Sequence, residues 1–164
     1  MKILDAAETV EMLGMDYLKE LSTFGALSED VIIDMMTNGV IREFASGEHL
    51  TRIDQVASDF QVLLRGRTAY YKRFEGRDVL TRYFNSGEQL GFDLMIGLTN
   101  HHGTDLMLED SLILDISSEQ FFKLHVDFPK DFGLLMINLA RELAREIELL
   151  EDVIGRGTSW REEA

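Results

Sequence analysis

A chain of 164 residues, 45 % of them apolar, is long enough for one domain with a substantial core. It contains no cysteine, which excludes disulfides, thiolate catalysis, thiolate zinc sites and cysteine-ligated iron–sulfur clusters within it. A net charge of −14 opposes nucleic-acid binding, which depends on cationic side chains displacing counterions.

The first forty residues read as helical, with apolar positions at Leu13, Tyr17, Leu18 and Leu21. Ser28 has the character of an N-cap, followed by Glu29 and Asp30 where the helix dipole favours acids. Val31, Ile32, Met35 and Met36 then form an apolar stripe, and Asn38-Gly39 ends the helix. From residue 40 the pattern changes to short β-branched and aromatic runs separated by Gly47, Gly66, Gly76 and Gly87. These runs are Val40–Ala45, His49–Ile53, Phe60–Arg65, Thr68–Phe74, Asp78–Phe84, Thr104–Leu108 and Ser111–Ile116, with a helical turn at Leu94–Leu98 among them. Short strands at this spacing predict a sandwich or barrel.

Helix returns at Ser117, where Ser117 and Gln120 stand at capping-box spacing. Pro129 opens a longer helix, predicted to reach Ile154 and to stop at Gly155 and Gly157. Leu135, Leu139, Leu143, Ile147, Leu150 and Ile154 recur along it in steps of four and three, and Glu142, Arg145 and Glu148 stand at pairing distance on it. The stripe has two readings: a coiled coil between two copies of the chain, or a helix folded onto its own barrel; its width favours the first. The order predicted is a helical segment over 1–39, a β-barrel core over 40–117, helices over 118–154 and a tail over 155–164. The fold class is α+β, a β jelly roll with helical flanks.

The charge is unevenly spread. Residues 65–82 hold six cations against two carboxylates, a net +4 in an acidic protein. Such an island is either a solvated strand face or an anion site, with Arg67, Arg73 or Arg82 pointing inward. No apolar run approaches the ~18–20 residues that span a bilayer. Met1–Asp5 has no basic stretch leading into an apolar one, so no signal peptide is expected and the expected location is cytoplasmic.

Four segments in this order carry a resemblance. They are Phe44-Ala45-Ser46-Gly47-Glu48, the run Ser58–Gly66, Phe84–Gly91 and Glu109–Ile116, with helices outside them. From about Leu21 to Ile147 the chain resembles the cyclic nucleotide-binding domains, as in the bacterial catabolite activator and kinase regulatory subunits. In that family the loop after the third segment reads G-E-x-A-L and later R-S or R-T. The resemblance implies backbone amides at a helix N-terminus facing a cyclic phosphate, a glutamate on the ribose hydroxyl and an arginine on the phosphate. Here Gly91 matches, Phe92 stands at the glutamate, Leu94-Met95 replace Ala-Leu, and His101 and His102 stand where arginine and the following hydroxyl belong. Asp93 adds a repelling charge beside the loop, and Thr104 follows the histidines. Glu146 and Ile147 occupy the long-helix positions that contact the base in bacterial members.

Losing both the arginine and the glutamate removes roughly 3–6 kcal/mol, about two to four decades of affinity. Ordinary binding of cyclic AMP or cyclic GMP is therefore not expected. Phe92 is read as a plug in the emptied pocket, or as a surface on which another planar ligand stacks. His101 and His102 are read as plain loop residues, a pH-dependent anion site, or metal or haem ligands helped by Asp93 or Asp105. Haem enters because some relatives of the fold are gas sensors that ligate it through histidine. No nucleophile elbow or metalloprotease motif occurs, so an enzyme is not expected. Family transcription factors continue into a helix-turn-helix unit, for which the ten residues after Ile154 leave no room, so no direct DNA binding is expected. The function expected is a stand-alone sensor or regulatory module, homodimeric through the long helix and acting on a protein partner. A scaffold with a self-filled pocket and a haem- or metal-binding gas sensor are the alternatives.

Overall fold

The computed structural model describes the backbone of residues 1–162 and the side chains of residues 1–156. Nine strands form two antiparallel sheets. The first joins β1 (Lys2–Leu4), β2 (Val40–Phe44), β9 (Ser111–Ser117), β4 (Asp59–Arg65) and β7 (Gln89–Leu90), in that order. The second joins β3 (His49–Thr51), β8 (Gly103–Met107), β5 (Arg67–Phe74) and β6 (Arg77–Asn85). The two sheets make the expected jelly roll.

Strand alternation builds two cores from the same strands. On β4, Phe60, Val62 and Leu64 face the helices, while Leu63 faces the second sheet. On β9, Leu112, Leu114 and Ile116 face the helices and Ile113 faces inward. The outer core is closed by α1 (Ala6–Leu13), α2 (Met15–Glu20), a 3₁₀ turn at Ser22–Phe24, α3 (Glu29–Asn38), α5 (Ser118–Asp127) and α6 (Pro129–Glu162). The one-turn helix α4 (Phe92–Ile96) sits between strands, as predicted, but begins two residues earlier.

The helix caps follow the sequence. The Ser28 hydroxyl accepts the Val31 N–H, and the Ser117 hydroxyl accepts the Gln120 N–H. Several expectations are corrected. The first residues are not wholly helical: Lys2–Leu4 pair with Ile41–Glu43, where β2 still had a free edge. Gln120 does not close the capping box; its Nε2 donates to the Met35 carbonyl at 3.0 Å, because burial leaves it nearer to α3 than to Ser117. Gly39 ends α3 without a left-handed turn, at φ −82°. A Cβ there would stand 2.6 Å from Leu114 Cδ1 and 2.7 Å from the Met35 carbonyl, so close approach of helix to strand demands the glycine. The long helix does not stop at Gly155 and Gly157 but continues to Glu162, so most of the predicted tail is helical. Glycine costs a helix about 1 kcal/mol, which weakens one without ending it. Among the described residues no helix is long and apolar enough to cross a membrane.

Candidate functional site

The site lies where α4, the inner faces of β5, β6 and β8, and the C-terminal half of α6 converge. A cavity of about 460 Å³ opens there. Strand parity decides which cations reach it. Arg82 and Phe84 of β6 line it, together with Tyr70 and Lys72 of β5. Arg67 and Arg73 fall on the outer face: Arg67 lies over the Tyr83 ring and Arg73 pairs with Asp78 at 2.5 Å. Of the three arginines proposed as anion contacts, only Arg82 is in place.

Arg82 is already engaged. Its Nη1 lies 2.5 Å from a Glu146 carboxylate oxygen on α6, its Nη2 lies 3.4 Å from Glu88, and its guanidinium stacks 4.3 Å from the Phe84 ring centroid. It works as a latch between barrel and helix, and an incoming anion would have to displace two carboxylates.

The first amide of α4 is engaged within the protein as well. Gly91 supplies the left-handed residue, at φ +77°. The first helical amide, Phe92 N–H, donates to Gln89 Oε1 at 2.9 Å and not into the cavity. Gln89 is itself held from α6, its N–H reaching Glu142 at 2.9 Å. Glu142 is buried and also accepts from Ser22 at 2.8 Å, so it anchors the loop and is not one of the surface pairs expected with Arg145. Burial raises its carboxyl pKa despite these donors.

Phe92 does not plug the cavity. It turns into the outer core, edge-on to Phe60 at 5.4 Å and to Phe121 at 5.7 Å, and Met95 follows it. Residues three apart share a helix face, so with Phe92 and Met95 turned into the core, Asp93 and Leu94 between them line the cavity. The cavity is therefore open, not closed by its own side chains.

The two histidines separate. His101 is 8 % exposed and its main chain is tied to Gln55 and Asp54 at 2.9 and 3.0 Å, whereas His102 is exposed. Both line the cavity. Burial and then Arg52 lower the His101 pKa, so its imidazole is neutral near pH 7. Thr104 lies on the other face of β8, its hydroxyl 3.0 Å from that of Thr51. Asp105, one residue on, lines the cavity, and burial raises its carboxyl to about 7. Sequence reading named Asp105 only as a helper to the histidines and passed over Tyr70, Gln61 and Gln89, which also line the cavity. The signal was present: Gly103, Asp105 and Met107 share one strand face, and Met107 is core.

The long-helix stripe divides. Leu135 and Leu139 are 1 % and 0 % exposed against the outer core, and Leu143 packs at its edge. Ile147 and Leu150 are 57 % and 53 % exposed, and Ile154 is exposed as well. Leu149, Leu150 and Val153 also form one wall of the cavity.

No protein-family model matches the sequence, and no curated protein matches it. Solved structures do. A cyclic nucleotide-binding domain from Methylobacillus flagellatus superposes with a TM-score of 0.76 at 15 % identity, over 94 % of this chain and 88 % of that one. This chain has the fold of a cyclic nucleotide-binding domain. The catabolite activator protein of Thermus thermophilus shares that fold with a TM-score of 0.65 at 19 % identity, over 82 % of this chain and 63 % of its own. The regulatory subunit of a cAMP-independent protein kinase A from Trypanosoma cruzi, bound to guanosine, matches with a TM-score of 0.68 at 14 % identity, over 93 % of this chain and 52 % of its own. The chain thus spans less than two thirds of these last two proteins. Among the described residues, the cavity lining beside α4 holds Asp93 and, as its arginine, Arg82, which is paired with Glu146 and Glu88.

Proposed function

We propose that this chain is a regulatory, non-enzymic module of the cyclic nucleotide-binding fold. It senses a small molecule other than cyclic AMP or cyclic GMP through a cavity shared by the barrel and α6. The observation that carries this reading is the shared wall: Glu146, Leu149, Leu150 and Val153 belong to the helix, so an occupant changes how the helix packs. The Trypanosoma protein, described as cAMP-independent and bound to guanosine, supports a ligand without a cyclic phosphate in this fold. The exposed Ile147, Leu150 and Ile154 then serve a second copy of the chain in a coiled coil, which passes the change to a protein partner.

Calorimetry with cyclic AMP and cyclic GMP tests the reading. No saturable heat is expected at micromolar concentrations of either. Stoichiometric micromolar uptake of one of them into the barrel would overturn it.

A further inference from the structure

Two polar atoms in the cavity wall are buried and lack a hydrogen-bond partner in the protein: Oδ1 of Asp105 and Nε2 of His101. Native structures rarely leave such groups unsatisfied, and a buried carboxylate oxygen is the costlier of the two. Both are held firmly. Asp105 lies in the middle of β8, paired with Tyr70 on one side and Leu50 on the other. His101 is fixed through its backbone to the 54–55 turn. Their position is built into the barrel and does not depend on a loose loop.

The charges facing the cavity have a sign. The Tyr70 phenol is pushed up to about 12, first by burial and then by the charges of Asp105, Asp93 and Glu146, all of which line the cavity with it. The opposing cations are few. Arg82 is offset by Glu146 and Glu88, and Lys72 stands exposed at the rim. The neutral His101 ring can accept a hydrogen bond at Nε2. Arg52 acts on Asp105 from its own pair with Asp59 at 2.5 Å, which leaves Asp105 and the exposed Asp93 without a dedicated cation, beside an aromatic ring and an apolar wall.

We propose that this cavity takes a small organic amine, its protonated nitrogen directed at Asp105 with His101 accepting an N–H, and its apolar body lying between Tyr70 and the Leu149–Val153 face of α6. The inference rests on the pocket-sensor reading above and gives that pocket a ligand class. An ammonium supplies the donors that Asp105 lacks, and the Tyr70 face attracts a cation. An organic anion meets Asp93 and Asp105 with no free arginine.

Tryptamine and indole-3-propionate are near in size and opposite in charge, and they serve as probes on the full chain. Calorimetry is expected to show saturable tryptamine binding, with indole-3-propionate at least about tenfold weaker. Asp105→Asn is expected to weaken tryptamine by about ten- to a hundredfold, the worth of a charged hydrogen bond, while Thr104→Ala on the outer strand face leaves it unchanged. A thermal melt confirms that both variants fold. Equal affinity for the two probes, tryptamine binding unaltered in Asp105→Asn, or no tryptamine binding each overturns the amine assignment. Amide shifts in 146–153 keep the two proposals apart. If indole-3-propionate alone binds and moves those amides, the ligand charge is wrong and the sensor pocket stands. If a probe binds and those amides do not move, the sensor pocket falls.

Discussion

At the residue scale, one substitution re-aims a loop. Where the fold's nucleotide-binding members carry glutamate, Phe92 prefers the outer core, and it completes an edge-to-face group with Phe60 and Phe121. Such pairs contribute about 0.5–1.5 kcal/mol each beyond the area they bury. Phe92→Glu is therefore expected to cost at least about 3 kcal/mol, read by urea denaturation, because it buries a carboxylate among aromatic rings. Asp105 has the opposite expectation. Its carboxyl titrates at about 7 when folded, against an ordinary value of 3.8. Between those values the folded state holds a proton that the unfolded state has lost. Stability then falls as pH rises through that window, by up to ~1.4 kcal/mol per unit. Asp105→Asn should remove that part of the slope and raise the melting temperature at pH 8, the gain being on the order of 1–3 kcal/mol. An unchanged slope, or a loss at pH 8, would show that Asp105 is satisfied when folded.

At the element scale, α6 is bound to the barrel at three heights. Leu135 and Leu139 supply apolar burial, Glu142 holds the Gln89 amide and Ser22, and Glu146 holds Arg82. The bonds weaken toward the C-terminus as exposure grows. Glu142→Ala strands the Gln89 N–H in the interior and is expected to cost about 2–4 kcal/mol in equilibrium unfolding. The Arg82–Glu146 latch is partly exposed, so a double-mutant cycle of Arg82→Ala and Glu146→Gln is expected to return a coupling of only about 1 kcal/mol. Its larger effect should be dynamic. Amide exchange over 146–153 should quicken in either single variant while 135–143 stays protected. The helix was legible as a helix from its stripe of apolar residues. Its division into a buried half and an exposed half was not, because Leu139 and Leu150 are the same residue at equivalent positions of one periodic pattern. Only the length of the barrel beneath decides which is covered.

At the scale of the molecule, two surfaces meet in one helix. Its inner side closes a cavity and its outer side is apolar and exposed. Replacing Ile147, which is exposed and does not line the cavity, by serine is expected to shift a dimer toward monomer in sedimentation while changing the stability of the fold by less than about 1 kcal/mol. Leu139→Ala is expected to cost about 2–5 kcal/mol with the dimer retained until unfolding. A wild-type chain that sediments as a monomer at high micromolar concentration would remove the coiled coil.

The order of elements, the jelly roll and the caps at Ser28 and Ser117 could all be read from the chain, since each depends on local spacing and on residue type. Three things depended on tertiary placement: where Phe92 points, which of three arginines faces inward, and that Asp105 and His101 line one cavity. Strand parity and helix rotation carry those facts, and a register shift of one residue reverses them. The residues alone specify a barrel with helical flanks, because local spacing and residue type set strands and caps; the packing of α6 across its mouth decides the room and charge of the cavity.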